Sequence, residues 1–447
     1  MAKLIKYDYD FMSSQRVGNF GFKKQELAEL GKKLRTINKF LEKKKNSADM
    51  SFRKLPYDSK TASALEKLGK SLQKKFSNMV VVGIGASDLG ARAIYRALVG
   101  TYANQLKNRR GLKIYFLGNT TDPQPISDLL RIIDIKKTVF YIVSRSGSTI
   151  EPMTNFLLLR EKVIAKVGKI KAAQHFIITT LSEKNPLLEI AKEEGYLFLP
   201  HYPGGGRYSI LSVNGLLPAT AAGFNISQFL DGAKAIDKLC KSNKVNQNLP
   251  FLFAALQYLA YKKRHQNISI LMPYNYYLNE FSFWFRQLVA ESVGKKKLGI
   301  TPIAALGPAD QHSQIQLYIE GPHDKIITFI TVEKNKYEIS VPKYKKSELS
   351  YLGGHSFNDI LKIEHKATSV SLMEHKRPNG TIILPELDEY YLGQLFFIFE
   401  MAIVYLGELL KINVFNQPGV EHSKRYMYGL LGRKGFGKEA REIKKYL

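Results

Sequence analysis

The sequence predicts an α/β protein: two doubly wound units of parallel β-sheet, each covered by helices on both faces, with helical segments at the N- and C-terminal ends. Three observations carry this expectation. Short apolar runs alternate with stretches of helical period from residue 79 to about 200, the pattern of successive βαβ units. After a helical region at 226–264 the alternation resumes. Residues 1–75 and 389–447 lack such runs and have helical spacing instead.

Residues 1–75 are Lys-rich, and QELAELGKKLRTINKFLEKKK carries an apolar stripe suited to packing or to a dimer surface. The strands expected in the first unit are MVVVGIG, KIYFLGN, TVFYIVS, HFIITT and LFLP. Their β-branched and aromatic runs, bounded by Gly, Asn and Pro, suit strands buried on both sides. GGGRYSILSVNGLLPATAAGF at 204–224 opens the second segment, for which ISILMPY, GITPIAALG, IQLYIEG and KIITFITVE are the expected strands. The aromatic-rich stretch Tyr390–Leu410 is interrupted by Gln394, Glu400 and Glu408, which makes it a buried helix rather than a membrane span. The chain thus divides into residues 1–75, 76–225, 226–410 and 411–447.

Composition narrows the class. With 447 residues, 45% hydrophobic and 24% charged, the chain has the make-up of a globular protein of two or three domains. The net charge of +28 raises the question of nucleic acid, but the 67 Lys and Arg are spread along the whole chain. There is no long basic arm, so we expect a surface that attracts small anions and no nucleic-acid partner. Cys240 stands alone, which rules out a disulfide within the chain, and the N-terminus lacks a long apolar leader; both suit the cytoplasm.

Six loops carry the candidate chemistry. VSRSGSTIEP, residues 143–152, follows a strand run with four hydroxyls (Ser144, Ser146, Ser148, Thr149), the cation Arg145 and Gly147, and precedes a helix. Hydroxyls and amides at a helix N-terminus suit an anion, although the same residues could simply cap the helix. GIGASDLG resembles a dinucleotide turn, but Asp88 stands where a third glycine would be and would oppose a pyrophosphate; Gly85 and Ser87 could hold a smaller ligand. In PGGGRYS, Arg207 follows three glycines that let the backbone approach a ligand. In RQLVAESVGKK, Gln287 and Glu291 lie four residues apart on one helix face beside FSFWF, where burial would raise the carboxyl pKa and make a general base. His312, in DQHSQ, has the densest polar company of the nine histidines. FNQPGVEHSK brings Gln417, Glu421 and Lys424 onto a turn into a helix. Neither H-x-x-x-H nor H-x-H occurs, so no metal is expected.

Taken in order, GIGASDLG, SRSGSTIE, GGRYS, ESVGK, DQHSQIQL and FNQPGVEHSK resemble the signature segments of the phosphoglucose isomerase family, in its short bacterial-type form, from about residue 80 to 430. The family usually has Lys at Arg145, Thr at Ser146, Ser148 and Pro152, and Gly at Ala86. The resemblance implies two sugar-isomerase (SIS-type) domains, a homodimer, no cofactor, and interconversion of glucose 6-phosphate and fructose 6-phosphate through a cis-enediol. It also implies roles: Glu291 as base, His312 with Lys424 for ring opening, and Arg207 for the developing negative charge. Ser144, Arg145, Ser146, Ser148 and Thr149 would hold the phosphate, with Gly85, Ser87, Gln287 and Gln417 lining the sugar. A non-catalytic sugar-phosphate-binding regulator and an isomerase of a related sugar phosphate stay open as alternatives.

Overall fold

The computed structural model describes residues 3–107 and 109–447. The chain begins with β1 (Lys6–Asp8), α1 (Ser14–Val17), α2 (Lys24–Lys44) and α3 (Ser59–Lys75). A first α/β unit follows: β2 (Asn78–Val82), α4 (Leu89–Val99), β3 (Lys113–Leu117), α5 (Pro123–Ile132), β4 (Thr138–Val143), α6 (Ile150–Val167), α7 (Lys169–Ala172), β5 (Phe176–Thr180), α8 (Pro186–Glu193) and β6 (Leu197–Pro200). Helices α9 (Val213–Ala221), α10 (Ile226–Leu239) and α11 (Leu249–Arg264) lead to the second: β7 (Ile268–Pro273), α12 (Asn279–Val293), β8 (Thr301–Ala304), α13 (Ile315–Glu320), β9 (Lys325–Lys334), α14 (Phe357–Glu374) and β10 (Asn379–Glu386). The last helices are α15 (Glu389–Leu410), α16 (Glu421–Leu430) and α17 (Gly437–Ile443).

The first sheet has order β3-β2-β4-β5-β6 and is parallel throughout. The second has order β1-β10-β9-β7-β8, parallel except for the antiparallel β1. The continuous apolar strands follow from this arrangement. In β2, Met79 and Val81 enter one core while Val80 and Val82 enter another; Val139, Tyr141 and Val143 of β4 likewise alternate with Phe140 and Ile142. The first of these cores also takes Leu271, Ile330 and Ile382 from the second sheet, so helices such as α11 and α15 serve both sheets.

Helix starts follow local chemistry. Asn185 and Asn248 accept from amides of the next turn, with Pro186 and Pro250 preset for helix just after them. Helix α15 alone has the length and hydropathy to cross a membrane among the described residues, and 89% of that window is buried inside the protein, as a core helix should be. Its Glu400 is fully buried, and burial pushes the carboxyl well above the usual range.

Three local expectations are corrected. IQLYIEG is not a strand but helix α13: Ile315, Tyr318 and Ile319 pack on the second sheet while Leu317, on the face an alternating strand would bury, is 53% exposed. Strand β10 went unread in the sequence, although its apolar centre pairs with β9. The N-terminal segment is not wholly helical, because Lys6–Asp8 pairs with Thr381–Ile383 as the edge of the second sheet. Three residues of an edge strand carry no periodic signal.

Candidate active site

Strands β2 and β4 are neighbours, but their following strands lie to opposite sides, β3 beyond β2 and β5 beyond β4. The chain therefore leaves β2 and β4 in opposite directions and opens a crevice at their C-terminal ends, the place where doubly wound sheets take ligands. A cavity of about 630 Å³ occupies it, lined by Ile84–Ser87 after β2, Ser144–Ser146 and Ser148–Thr149 after β4, Gln287 and Glu291 from α12, and Gln417, Lys424 and Tyr428 near the C-terminus.

The loop after β4 is held by backbone bonds: Ser144 N–H donates to Thr179 O at 3.0 Å and Gly147 N–H to Ser144 O at 3.0 Å. Gly147 has φ +63°, and a Cβ there would lie 1.9 Å from Asn185 Oδ1, so no side chain fits. The hydroxyls converge on each other, with both Ser144 Oγ and Ser146 Oγ 3.3 Å from Thr149 Oγ1. Thr149 occupies the N-cap of α6 without accepting from a helix amide, unlike Asp58, Asn225 and Asp388 at their helices. That separates the two readings of this loop: its hydroxyls face the cavity and do not serve as caps, and the first-turn amides of α6 keep their donors. Arg145 reaches across to Pro203 O, with Nη2 donating at 3.1 Å.

Behind the opposite wall Arg207, 4% exposed, uses all three of its nitrogens. Nε donates to Ser292 Oγ at 3.0 Å and Nη2 to Val414 O at 2.8 Å and Asn416 O at 3.2 Å. Nη1 donates to Glu291 Oε2 at 2.8 Å and to Gln417 Oε1 at 2.9 Å. Gln287 Nε2 donates to the other Glu291 oxygen at 2.9 Å. Glu291 keeps 30% side-chain exposure, so the apolar burial expected of it is absent; an ion pair and an amide hold it at the cavity wall. A carboxylate has about four lone-pair sites, and each oxygen retains one. Gly85, at φ +59°, leaves room for Gln287, whose Nε2 would lie 2.7 Å from a Cβ there. Among the three glycines before Arg207, only Gly204 is demanded by contact, since a Cβ would meet Tyr202 Oη at 2.4 Å and its ring at 2.5 Å. Asp88 turns inward to Arg92, with Oδ2 2.8 Å from Nη2, and burial pushes its carboxyl up to about 6.

The family model for phosphoglucose isomerase matches residues 58–432. The chain belongs to the phosphoglucose isomerase family. It is 38% identical to the glucose-6-phosphate isomerase of Carboxydothermus hydrogenoformans over 91% of this chain and 90% of that one. It is 33% identical to the probable glucose-6-phosphate isomerase of Methanococcus maripaludis, with 96% and 94% covered. Among solved structures, a hypothetical protein from Thermus thermophilus superposes with TM-score 0.85 at 30% identity, covering 96% of this chain and all (100%) of that one. A glucose-6-phosphate isomerase from Chlamydia trachomatis superposes with TM-score 0.82 at 22% identity over 100% and 92%, a likeness of fold.

Within this phosphoglucose isomerase family fold, the residues singled out in the sequence gather at one cavity, with one exception. Gly85, Ser87, Ser144, Arg145, Ser146, Ser148, Thr149, Gln287, Glu291, Gln417 and Lys424 line it, and Arg207 is bonded to two of them. Lys424 Nζ lies 3.1 Å from Glu421 Oε1, at the cavity's rim. His312 is the exception: it is exposed, follows the turn after β8, and has Glu364 of α14 as its charged neighbour.

Three cavity or neighbouring residues escaped the sequence reading. His201 is 4% exposed, its Nδ1 2.6 Å from Tyr202 O and its Nε2 2.8 Å from Asn214 Nδ2, so the ring is neutral with the proton on Nδ1; burial lowers its pKa to about 4. Lys295 is lowered to about 8 by burial and by Arg207, against the opposing pull of Glu291. Arg433 lines the cavity from beyond α16. The sequence held no signal for His201, because its partners are a carbonyl and an amide that only folding brings together.

Proposed function

We propose that this chain interconverts glucose 6-phosphate and fructose 6-phosphate, with Glu291 moving the proton between C2 and C1 of an opened sugar. The observation that carries this reading is the placement of Glu291 across one cavity from the hydroxyl loop. A dianionic phosphate at Ser144–Thr149 fixes one end of a hexose, and a carboxylate held by Arg207 and Gln287 meets the other. Removing the C2 proton places negative charge on the enediol oxygens. The Arg207 guanidinium, fixed by carbonyls, stabilises that charge without reorganising. Gln417, whose Oε1 is taken by Arg207, has its amide nitrogen left to donate to a sugar hydroxyl.

Ring opening needs an acid at the ring oxygen and a base at the hemiacetal hydroxyl. Lys424 is at the cavity; His312 is not at the cavity of its own chain. His312 therefore performs this role only from a second copy, and the protein acts as a homodimer in the cytoplasm, where the lone, buried Cys240 stays reduced. Residues 76–225 and 226–410 act as two sugar-isomerase domains sharing one site, the first giving the phosphate loop and the second the base. The test is direct: purified protein mixed with fructose 6-phosphate should yield glucose 6-phosphate, read by a coupled dehydrogenase. Binding of the sugar phosphate without turnover would leave a regulator instead.

A further inference from the structure

The C-terminal helices α16 and α17 form a small unit of their own. They cross closely at Gly429, where a Cβ would meet Ala440 N at 2.6 Å, and Arg425 Nε donates to Glu439 Oε1 at 2.9 Å. The unit reaches the hydroxyl loop through Tyr428, whose Oη donates to Ser148 O at 3.2 Å. Just beyond α16, Arg433 N–H donates to Tyr428 O at 2.9 Å, and its side chain lies over two aromatic rings. Its guanidinium carbon lies 4.3 Å from the Tyr428 ring centroid and 5.4 Å from that of Phe436.

The charge environment of Arg433 differs from that of its neighbours. Lys424 is paired with Glu421 and Arg425 with Glu439, whereas Arg433 has only aromatic partners among the described residues. Stacking fixes a guanidinium while leaving its N–H edge to donate. Arg433 lines the same cavity as Ser146, Ser148 and Thr149. The loop's own cation, Arg145, already gives Nη2 to a carbonyl. A phosphate monoester carries nearly two negative charges at neutral pH, more than one partly engaged guanidinium and a set of hydroxyls balance.

We infer that Arg433 is a second phosphate-binding cation, carried to the hydroxyl loop by the α16–α17 unit, and that it sets the preference for phosphorylated over free sugars. The inference rests on the isomerase reading only for its substrate, since phosphate binding is measurable without turnover. Arg433→Met keeps the long side chain against Tyr428 and Phe436 and removes the charge. Arg131→Met, at the exposed end of α5, removes a charge far from the cavity and serves as control.

Inorganic phosphate titrated by calorimetry should bind Arg433→Met about tenfold or more weakly than wild type, while Arg433→Lys recovers much of the loss. In turnover, KM for fructose 6-phosphate should rise by a similar factor with kcat nearly unchanged. Inhibition by sorbitol 6-phosphate should weaken, and that by sorbitol should not. Phosphate affinity in Arg433→Met within twofold of wild type overturns the inference, as does an equal loss in Arg131→Met, which would assign the effect to overall charge. Phosphate binding that depends on Arg433 in a protein without isomerase turnover would sink the isomerase reading and leave this one standing.

Discussion

Arg207 and Glu291 meet at 2.8 Å, one side chain almost wholly buried and the other at the cavity wall. The guanidinium is pinned by two backbone carbonyls, so it is the fixed partner and the carboxylate is aimed by it. Replacing Glu291 with Gln keeps the size and the Gln287 side of this arrangement but removes the base. Isomerisation should fall by roughly 10²–10⁴-fold or more while sugar phosphate still binds. In deuterated water the wild-type protein should exchange label into C1 or C2, and the variant almost none at equal saturation. Exchange at the wild-type rate would show that another residue is the base.

The hydroxyl loop should govern ground-state binding. Replacing Ser144 and Thr149 together with Ala removes two of the converging hydroxyls, each worth roughly 1.5–3 kcal/mol against a charged group. KM should therefore rise more than kcat falls. Thermal melts should change little, because Thr149 does not cap α6. An unchanged KM would remove the phosphate from this loop.

His312 should matter only for closed-ring substrate and only between subunits. His312→Ala should lose far more rate on glucose 6-phosphate than on an acyclic substrate such as erythrose 4-phosphate. Mixing His312→Ala with Glu291→Gln after reversible dissociation should restore activity, because each mixed dimer holds one cavity with both native residues; random pairing gives about a quarter of wild-type sites. No recovery in demonstrated mixed dimers would return His312 to its own chain or to a structural role.

His201 links the cavity wall to pH. Its folded pKa is about 4, below the ordinary histidine value of 6.5. Between those values the unfolded chain takes up a proton that the fold refuses, so the stabilisation is complete above about 6.5 and is lost as pH falls toward 4. The loss amounts to about 3 kcal/mol from this residue. His365, also lowered to about 4 by burial, adds a second contribution of the same sign. The difference in unfolding free energy between wild type and His201→Gln should therefore shrink as pH drops from 7 to 4. A pH-independent difference would mean that His201 takes up its proton as readily in the fold as in the unfolded chain.

Much of this molecule is determined by short-range sequence. The strands β2 to β6 are legible because each is a run of residues that must be buried on both faces, and the loops after β2 and β4 announce themselves by glycines and hydroxyls that local backbone geometry requires. The resemblance to one family followed from the order of six such loops. What the sequence left undetermined were features made by distant partners. IQLYIEG fits either period, and only its packing on the second sheet chose the helix. Three residues at the N-terminus became a strand because β10 offered an open edge. Arg207 and Glu291 are 84 residues apart in the chain and Arg207 and Gln417 are 210 apart, so their shared bonds depend on how α12 and the C-terminal turn pack against the first unit. The same packing put His312 outside the cavity and Arg433 within it. Side-chain type specifies which chemistry a residue can perform, but the long-range packing of sheets and helices decides which residues perform it together.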